Sequence, residues 1–379
     1  MKVAVNAMPL VSPLSGVGQY VFQLYSAMSA LNMECDYYYG FYWAKKLEAG
    51  SHPKTAFVDN LGKKNWYGQK LIGLCRRLVF FRKMVTTRFD LYHEPNFLPK
   101  PHLSNLIITV HDLSPYRLPE SHQKEWVRTF QEKLPHAIDN ARAILVVSDF
   151  VKREIIDLFP DAGNKITRTY LGVRNEFRPL LHTNDPRFFR EKNIEYGQYL
   201  LAIGTLEPRK NLISALKAYS LLPDKLRDRF PLVIGGMKGW LTEALDRELE
   251  PMQRKGQVRL LGFVPDDELN ALYSGARAFI YPSLYEGFGL PPLEAMACGA
   301  PVITSNKASL PEVVGNAGIL VEPLDIEQMN QAIESLLEND SLHHELRQKG
   351  LERASLFTWE KTASITYEVF RRVAGENVN

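Results

Sequence analysis

The feature that most constrains the fold of this chain is an alternation of apolar runs and helical stretches that starts twice. The first half contains apolar runs typical of buried strands at residues 3–5, 106–110, 144–147 and 166–170. The second half contains them at residues 199–203, 232–234, 258–261, 278–281 and 302–304. The pattern predicts two doubly wound α/β domains with parallel sheets, joined by the polar segment 172–197.

Bulk properties are those of an ordinary soluble globular protein. The 379 residues exceed what one hydrophobic core usually serves, and a net charge of +3 is too small to indicate a nucleic-acid partner. Cys35, Cys75 and Cys298 are odd in number and lack metal-ligand spacing. No apolar run approaches the ~20 residues of a membrane span, and the first residues lack the apolar core of a signal peptide. We therefore expect a cytoplasmic chain without disulfides.

One segment, residues 61–89, is locally basic. It contains no acidic residue, and aromatic and aliphatic residues are interleaved with its cations, Lys63, Lys64, Lys70, Arg76, Arg77, Arg82, Lys83 and Arg88. A basic amphipathic segment of this kind can lie on an anionic membrane surface. The alternative is a helix that packs on the core and turns a solvated basic face outward.

The segment YEGFGLPPLEAMACGAP, residues 285–301, carries the strongest functional signal. Glu286 and Glu294 flank a glycine loop, which follows an apolar run and precedes a helical stretch. Glycines allow a sharp turn, and prolines are tolerated in the first turn of a helix. Open α/β sheets bind ligands at the carboxyl ends of strands, and helix N-termini favour anions. The alternative is a strand, turn and helix whose carboxylates are merely solvated.

A second motif, GTLEPRKN at residues 204–211, follows a strand and opens a helix. Its cations Arg209 and Lys210 suit a diphosphate, because arginine offers a planar fork and lysine a compact charge. If the diphosphate is a leaving group, these cations stabilise the charge that develops on it. The alternative is a pair of solvent-facing cations, which the helix dipole disfavours.

Three weaker elements complete the candidate site. The loop Ser15-Gly16-Val17-Gly18 follows the first strand, but Val21 breaks the dinucleotide fingerprint of a nucleotide-binding Rossmann loop. His111-Asp112 ends a strand, where Asp112 either orients the imidazole or caps the following turn. The glycine pair at 235–236 and the turn at 262–265 end two further strands.

The two strong motifs together resemble the retaining glycosyltransferases of family 4, which have the GT-B fold. The resemblance implies two Rossmann-like doubly wound domains facing across a cleft. It assigns residues 1–175 and 356–379 to an acceptor-binding domain and residues 176–355 to a domain that binds the nucleotide-sugar donor.

The resemblance also implies roles for individual residues. Glu286 accepts hydrogen bonds from the donor sugar, Glu294 binds the ribose hydroxyls, and His111 lines the reaction centre. The implied catalytic residues are His111, Glu286, Arg209 and Lys210. The implied donor-binding residues are Gly16, Gly18, Gly204, Arg209, Lys210, Gly235, Phe263, Val264, Glu286, Gly287, Phe288, Gly289, Leu290 and Glu294.

The motif forms resemble bacterial mannosyltransferases that use GDP-mannose to build O-antigen or other surface polysaccharide. They imply a retaining transfer to a hydroxyl of a lipid-linked saccharide, at the inner face of the cytoplasmic membrane. A UDP-sugar donor and a GT-B sugar-nucleotide epimerase are the alternatives. The chain contains no Asp-x-Asp pair, so we expect no metal or other cofactor, with Arg209, Lys210 and helix N-termini in place of an ion.

Overall fold

The structure is a computed structural model, and it describes residues 1–11, 16–50, 66–100, 102, 104–180, 186–237 and 243–375. Ser15 of the predicted glycine loop and residues 61–65 of the basic segment, Lys63 and Lys64 among them, lie outside these ranges. By contacts, the chain divides into two compact units. The first comprises residues 1–117, 123–172 and 359–379, and the second comprises residues 118–122 and 173–358.

The first unit is built on a seven-stranded sheet in the order β3-β2-β1-β4-β5-β6-β7. All neighbouring strands are parallel except the short β3, which pairs antiparallel with β2. The strands are β1 (Lys2–Asn6), β2 (Glu34–Tyr38), β3 (Trp43–Ala44), β4 (Leu91–Glu94), β5 (Asn105–Val110), β6 (Ala143–Val146) and β7 (Ile166–Arg168).

Helices connect these strands as parallel pairing requires. They are Gly16–Ala27, Trp66–Thr86, Ser114–Arg117, Lys124–Asn140, Asp149–Leu158 and, from the end of the chain, Trp359–Ala374. Short 3-10 turns lie at Met8–Leu10, Met28–Ala30 and Pro160–Lys165. The last helix belongs to the first unit because its Trp359 and Phe370 are buried there against Tyr20 and His93.

The second unit is built on a six-stranded, fully parallel sheet in the order β10-β9-β8-β11-β12-β13. Its strands are β8 (Leu200–Ile203), β9 (Leu232–Gly235), β10 (Val258–Gly262), β11 (Ala278–Tyr281), β12 (Val302–Ser305) and β13 (Gly318–Val321). Its helices are Pro186–Glu191, Leu212–Ser220, Asp224–Arg229, Glu243–Arg254, Asp266–Gly275, Leu290–Ala297, Leu310–Val314, Ile326–Glu338 and Asp340–Ala354. The 3-10 turns Pro119–Ser121 and Pro208–Lys210 belong to this unit.

The two doubly wound sheets confirm the predicted α/β class, although four strands escaped the sequence pattern: β2, β3, β4 and β13. The reason is visible in β2 and β4, whose buried faces include polar groups. Asp36 in β2 pairs with Lys45 at 2.6 Å and with Lys83 at 3.1 Å. His93 and Glu94 in β4 are both buried. A strand that contains buried, paired polar side chains does not appear in the sequence as an apolar run.

Candidate active site

The predicted cations lie in a turn between β8 and the helix Leu212–Ser220. Asn211 ends this turn in the left-handed conformation, with φ 54° and ψ 33°, which asparagine tolerates better than most residues. Its buried amide nitrogen donates to the carbonyls of Pro282 at 3.1 Å and of Pro323 at 2.7 Å. Asn211 thus fixes the turn against the segments that follow β11 and β13.

Lys210 and Glu286 meet at the carboxyl end of the sheet. The Lys210 Nζ donates to the Glu286 Oε1 at 2.6 Å and to the Tyr281 hydroxyl at 2.6 Å. The same carboxylate oxygen accepts from the Tyr281 hydroxyl at 2.9 Å and from the Ser283 Oγ at 2.6 Å. The strand β11 and the residues after it therefore hold the Glu286 side chain in one position.

Arg209 completes this group from the other side. Its NH1 lies 3.3 Å from the Glu286 Oε2 and donates to the Tyr285 carbonyl at 2.7 Å. Its NH2 donates to the Glu207 Oε1 at 2.8 Å. Two cations and two carboxylates thus form one cluster whose formal charges cancel.

Electrostatics keep Glu286 ionised. Burial alone raises the pKa of Glu286, but the neighbouring Lys210 and Arg209 outweigh it and hold that pKa at about 2. Burial lowers the pKa of Lys210, and Glu286 opposes that shift. A carboxylate that stays ionised accepts hydrogen bonds and does not serve as a general acid at neutral pH.

The glycine loop after Glu286 turns directly into a helix, as the sequence predicted. Gly289 has φ 110°, and a Cβ there would lie 2.8 Å from the Leu310 Cδ2, so this position requires glycine. Leu290 begins the helix Leu290–Ala297, with the prolines in its first turn. Gly287 and Phe288 are buried, and Phe288 packs edge-on against Phe357.

Ser309 holds this loop from behind and was not found by sequence reasoning. Its fully buried Oγ lies 2.8 Å from the Glu286 carbonyl and 2.7 Å from the Phe288 carbonyl. One hydroxyl proton serves either carbonyl, so the two alternate as acceptors. No motif signals Ser309, because its importance arises only where the two segments meet.

Glu294 lies one turn inside the helix, as predicted, in a different environment from Glu286. Burial raises the pKa of Glu294 to about 7, against the opposing charge of Arg174. The Arg174 NH2 lies 3.6 Å from the Glu294 Oε1, and the Tyr273 hydroxyl donates to Oε2 at 3.4 Å. Arg174 also binds Asp266 at 2.6 Å.

The position of Arg174 corrects the predicted linker. Residues 173–180 pack within the second unit, where Phe177 contacts Tyr273 and the Leu180 amide donates to the Ser274 Oγ at 3.1 Å. The segment looked like a linker because its polar residues lack periodicity. Its arginine is buried through ion pairs with Glu176 and Asp266 and by packing over the Phe177 ring at 4.4 Å.

The ends of β8, β9 and β10 lie close together near Lys210. Gly204 and Gly236 have φ of 151° and 148°, and a Cβ on Gly236 would lie 1.8 Å from the Gly204 carbonyl oxygen. A Cβ on Gly235 would lie 2.6 Å from the Ile203 Cδ1. After β10, Phe263 is 65% exposed whereas Val264 is buried. Phe263 is therefore solvent-accessible, and Val264 packs against Gly235.

The remaining predicted residues belong to the first unit. Gly16 begins the helix Gly16–Ala27 at an exposed position, and Gly18 is buried within it. His111 follows β5, and its Nε2 donates to the Pro95 carbonyl at 2.9 Å. Burial lowers the pKa of His111, so the ring is neutral with Nδ1 as its acceptor. Its edge contacts Tyr20 at 4.8 Å between ring centroids.

Asp112 caps the following turn and does not hold the imidazole. Its Oδ1 accepts from the Ser114 amide at 2.9 Å and from the Ser114 Oγ at 2.6 Å. This contact decides between the two roles that the sequence left open. Among the described residues, no group of three or more His, Cys, Asp or Glu side chains could hold a metal ion.

Comparison with known proteins identifies the family. A model described as glycosyl transferases group 1 matches residues 184–353, and one described as Glycosyltransferase Family 4 matches residues 14–177. The chain is 35% identical over 379 residues to the O-antigen chain mannosyltransferase B of Escherichia coli, covering 98% of this chain and 100% of that one. The chain is a family 4 glycosyltransferase.

Solved structures agree on the fold of this glycosyltransferase. A sucrose-phosphate synthase from Thermosynechococcus elongatus superposes with a TM-score of 0.74 at 19% identity, covering 99% of both chains. WaaG, a glycosyltransferase involved in lipopolysaccharide biosynthesis, superposes with a TM-score of 0.73 at 14% identity, covering 99% of this chain and 100% of that one. The GT-B fold expected from the resemblance is confirmed. The individual roles of the site residues stay predictions.

Proposed function

We propose that this glycosyltransferase transfers mannose from GDP-mannose, with retention, to a hydroxyl of a lipid-linked saccharide in O-antigen synthesis. The observation that carries the proposal is the cluster in which Arg209 and Lys210 meet Glu286 at the carboxyl end of the second sheet. The name of the Escherichia coli relative, an O-antigen chain mannosyltransferase, supports the choice of sugar and of pathway.

Arg209 and Lys210 are proposed to bind the donor diphosphate. In the structure their charges are balanced by Glu286 and Glu207. A diphosphate brings two or more negative charges, so Arg209 and Lys210 must then be shared between their carboxylates and the phosphates. As the glycosidic bond to the diphosphate breaks, negative charge grows on the leaving phosphate, and both cations stabilise it.

Glu286 is proposed to hold the hydroxyls of the donor sugar. A pKa of about 2 keeps this carboxylate ionised and ready to accept hydrogen bonds. Retaining glycosidases use a second carboxylate as nucleophile about 5–5.5 Å from the first. Lys210, Tyr281 and Ser283 all bond to Oε1, which fixes the carboxylate and leaves Oε2 to accept from a sugar hydroxyl, an arrangement that favours binding over nucleophilic attack. We therefore infer front-face attack, with the departing phosphate accepting the proton of the acceptor hydroxyl.

His111 and Glu294 have separate proposed roles. The unprotonated Nδ1 of His111, set by the bond from Nε2 to Pro95, is suited to stabilise positive character at the anomeric carbon. Glu294, with Arg174 beside it, is proposed to bind both ribose hydroxyls of the nucleotide. Arg209 and Lys210 supply the positive charge at the diphosphate, so the proposed reaction needs no metal ion.

We further propose that the enzyme works on an anionic membrane surface, at the inner face of the cytoplasmic membrane. The helix Trp66–Thr86 is anchored by the buried Phe80 and Met84. A row of exposed apolar side chains, the apolar stripe, runs along another face of this helix: Leu71, Leu74, Leu78, Phe81 and Val85, each between 42% and 62% exposed. Exposed cations flank the stripe at Lys70, Arg77 and Arg82.

This pattern revises the simple alternative of a solvated basic face. Spacings of three and four residues keep the stripe on one side of the helix, which is the arrangement of a helix that lies in a membrane interface. Among the described residues, no helix is long and apolar enough to span a bilayer. Lys83 pairs with Asp36, and Arg76 lies over Phe41 at 4.7 Å, so these two cations face the first unit.

The experiment that tests the proposal combines nucleotide binding with transfer. Thermal stabilisation is measured against GDP, GDP-mannose, UDP, UDP-glucose and UDP-N-acetylglucosamine, first without added metal and then with EDTA. We expect selective stabilisation by GDP and GDP-mannose, followed by mannosyl transfer to a lipid-linked saccharide with an α-anomeric product. Stabilisation by UDP compounds alone would overturn the mannose assignment, and isomerised sugar released without acceptor would indicate an epimerase.

A further inference from the structure

A second charged site lies in the first unit, whereas the Arg209–Lys210 cluster belongs to the second. It is a cavity of about 800 Å³ lined by three separate elements. Arg76 and Arg77 come from the helix Trp66–Thr86, Lys100 from the segment after β4, and Lys133 from the helix Lys124–Asn140. We refer to these four residues and the space between them as the basic cavity.

The charge of the basic cavity is one-sided. Neither Asp nor Glu is found among the described residues that line it, whereas the Thr129 and Asn140 side chains add neutral hydrogen-bonding groups. Four cations from three elements therefore border the same space, and their combined positive field attracts an anion.

The protein environment shifts the pKa of Lys100. Burial, together with the cations Arg76 and Arg77, lowers the pKa of Lys100, while Glu94 opposes the shift. The Glu94 carboxyl is already engaged by the Asn6 amide at 2.8 Å and by the Tyr92 hydroxyl at 2.6 Å. Burial raises the pKa of the Glu94 carboxyl to about 7, so Glu94 compensates the charge of Lys100 only in part.

The position of the cavity indicates which anion it takes. Arg76 and Arg77 lie on the helix whose neighbouring face carries the apolar stripe. If the stripe rests on a membrane, the two arginines of this helix lie near the level of the lipid headgroups. A lipid-linked saccharide carries its phosphates at that level, between the apolar tail and the sugars. The volume is typical of a site for a small ligand.

We propose that the basic cavity binds the phosphate or diphosphate that joins the acceptor saccharide to its lipid. This inference rests on the proposed function, since it names a further site for the same acceptor. Arg76 and Arg77 offer planar forks to phosphate oxygens, and Lys100 and Lys133 offer point charges from the opposite elements. Binding of this phosphate would hold the acceptor by its lipid-linked end and leave the saccharide end free to react.

The first test measures direct binding of inorganic pyrophosphate to the full chain by calorimetry. Arg209 and Lys210 form a second place for this probe, so the two sites are separated by variants. Arg77→Gln with Lys133→Gln changes two exposed residues of the basic cavity, and Lys210→Met changes the other cluster. Lys70→Gln with Arg82→Gln is the matched control, because both are exposed cations of the same helix that do not line the cavity.

We expect the cavity variant to lose at least about ten-fold in affinity at one class of site, because it removes two charge-assisted contacts to phosphate. The control variant should keep both classes of pyrophosphate-binding site. Binding that Lys210→Met abolishes entirely would overturn the basic cavity as a phosphate site and leave the proposed function intact. A third outcome is that pyrophosphate still binds at the basic cavity of the Lys210→Met variant while no nucleotide binds the wild type. In that case the proposed function fails and the anion site stands.

The second test distinguishes the source of the phosphate. Acceptor KM is compared for a saccharide on a lipid diphosphate and for the same saccharide on a neutral alkyl glycoside. The cavity variant should raise KM about ten-fold for the diphosphate acceptor alone, with the donor KM unchanged. Equal effects on both acceptors would overturn the proposal. The proposal would also be overturned if the cavity variant kept its pyrophosphate affinity but lost binding to phosphatidylglycerol vesicles. The cavity would then bind headgroups of the bilayer.

Discussion

Lys210 and Glu286 are 76 residues apart in the sequence, yet the Lys210 Nζ lies 2.6 Å from the Glu286 Oε1. The pair joins the turn after β8 to the loop after β11 at one edge of the sheet. It also determines the charge state of Glu286, because Lys210 supplies the largest favourable interaction with that carboxylate.

Lys210→Met is expected to lower kcat by about a hundred-fold or more, since it removes a cation from the charge that develops on the leaving phosphate. The variant is compared with Lys217→Met, an exposed lysine on the next helix. Steady-state transfer rates with saturating donor provide the measurement. A kcat equal to that of Lys217→Met would contradict the assignment of Lys210.

Glu294 is expected to make nucleotide binding depend on pH. Ribose hydroxyls donate to the ionised carboxylate, so protonation weakens binding. Because burial raises the pKa of Glu294 to about 7, the affinity for a nucleoside diphosphate should rise about ten-fold from about pH 6 to about pH 8. Calorimetry across this range measures the effect.

The matched variants separate this titration from that of the nucleotide phosphate. Glu294→Gln should flatten the additional pH dependence, while Glu338→Gln, at the exposed end of a different helix, should keep it. If Glu294→Gln retains the full wild-type profile, the carboxylate does not bind the ribose.

Ser309→Ala is expected to loosen the Glu286 loop. The change removes the donor shared by the Glu286 and Phe288 carbonyls and should cost about 1–3 kcal/mol of the free energy of unfolding. The donor KM should rise more than the acceptor KM. Ser335→Ala, which removes a hydroxyl bonded within its own helix, is the control. Equal donor affinity in both variants would show that the loop does not need Ser309.

The apolar stripe is expected to hold the enzyme on anionic vesicles. Leu74→Ser with Leu78→Ser should weaken vesicle binding, whereas Leu221→Ser, an exposed leucine of the second unit, should leave it unchanged. Lys70→Glu with Arg82→Glu should weaken binding at least ten-fold, since each cation near the surface contributes about 1 kcal/mol. Sedimentation with phosphatidylglycerol vesicles measures both, and unchanged binding in both variants would refute the membrane proposal.

Much of the site was predictable because its residues lie in short motifs whose own residue types favour the turn and the helix that they form. The glycines, prolines and carboxylates of residues 285–301 predicted a strand, a loop and a helix, and the structure places β11, the Gly289 turn and the helix Leu290–Ala297 there. The pair Arg209-Lys210 was likewise predicted from its place after a strand. Arg174, Tyr281 and Ser309 were not predicted, because each matters through a contact with a segment distant in sequence. Glu207 and Ser283 were not predicted either, since their contacts with Arg209 and Glu286 are local but form no recognisable motif.

The sequence by itself determined the α/β class, the two mainly parallel sheets and the family, because apolar periodicity and turn chemistry are local and repeat along the chain. Only the tertiary structure decided which charges neutralise one another. Arg209 is balanced by Glu207 and Glu286, Glu286 is held ionised, and Glu294 is buried with a raised pKa. Burial and distance set these energies, and both exist only once strands remote in sequence lie side by side.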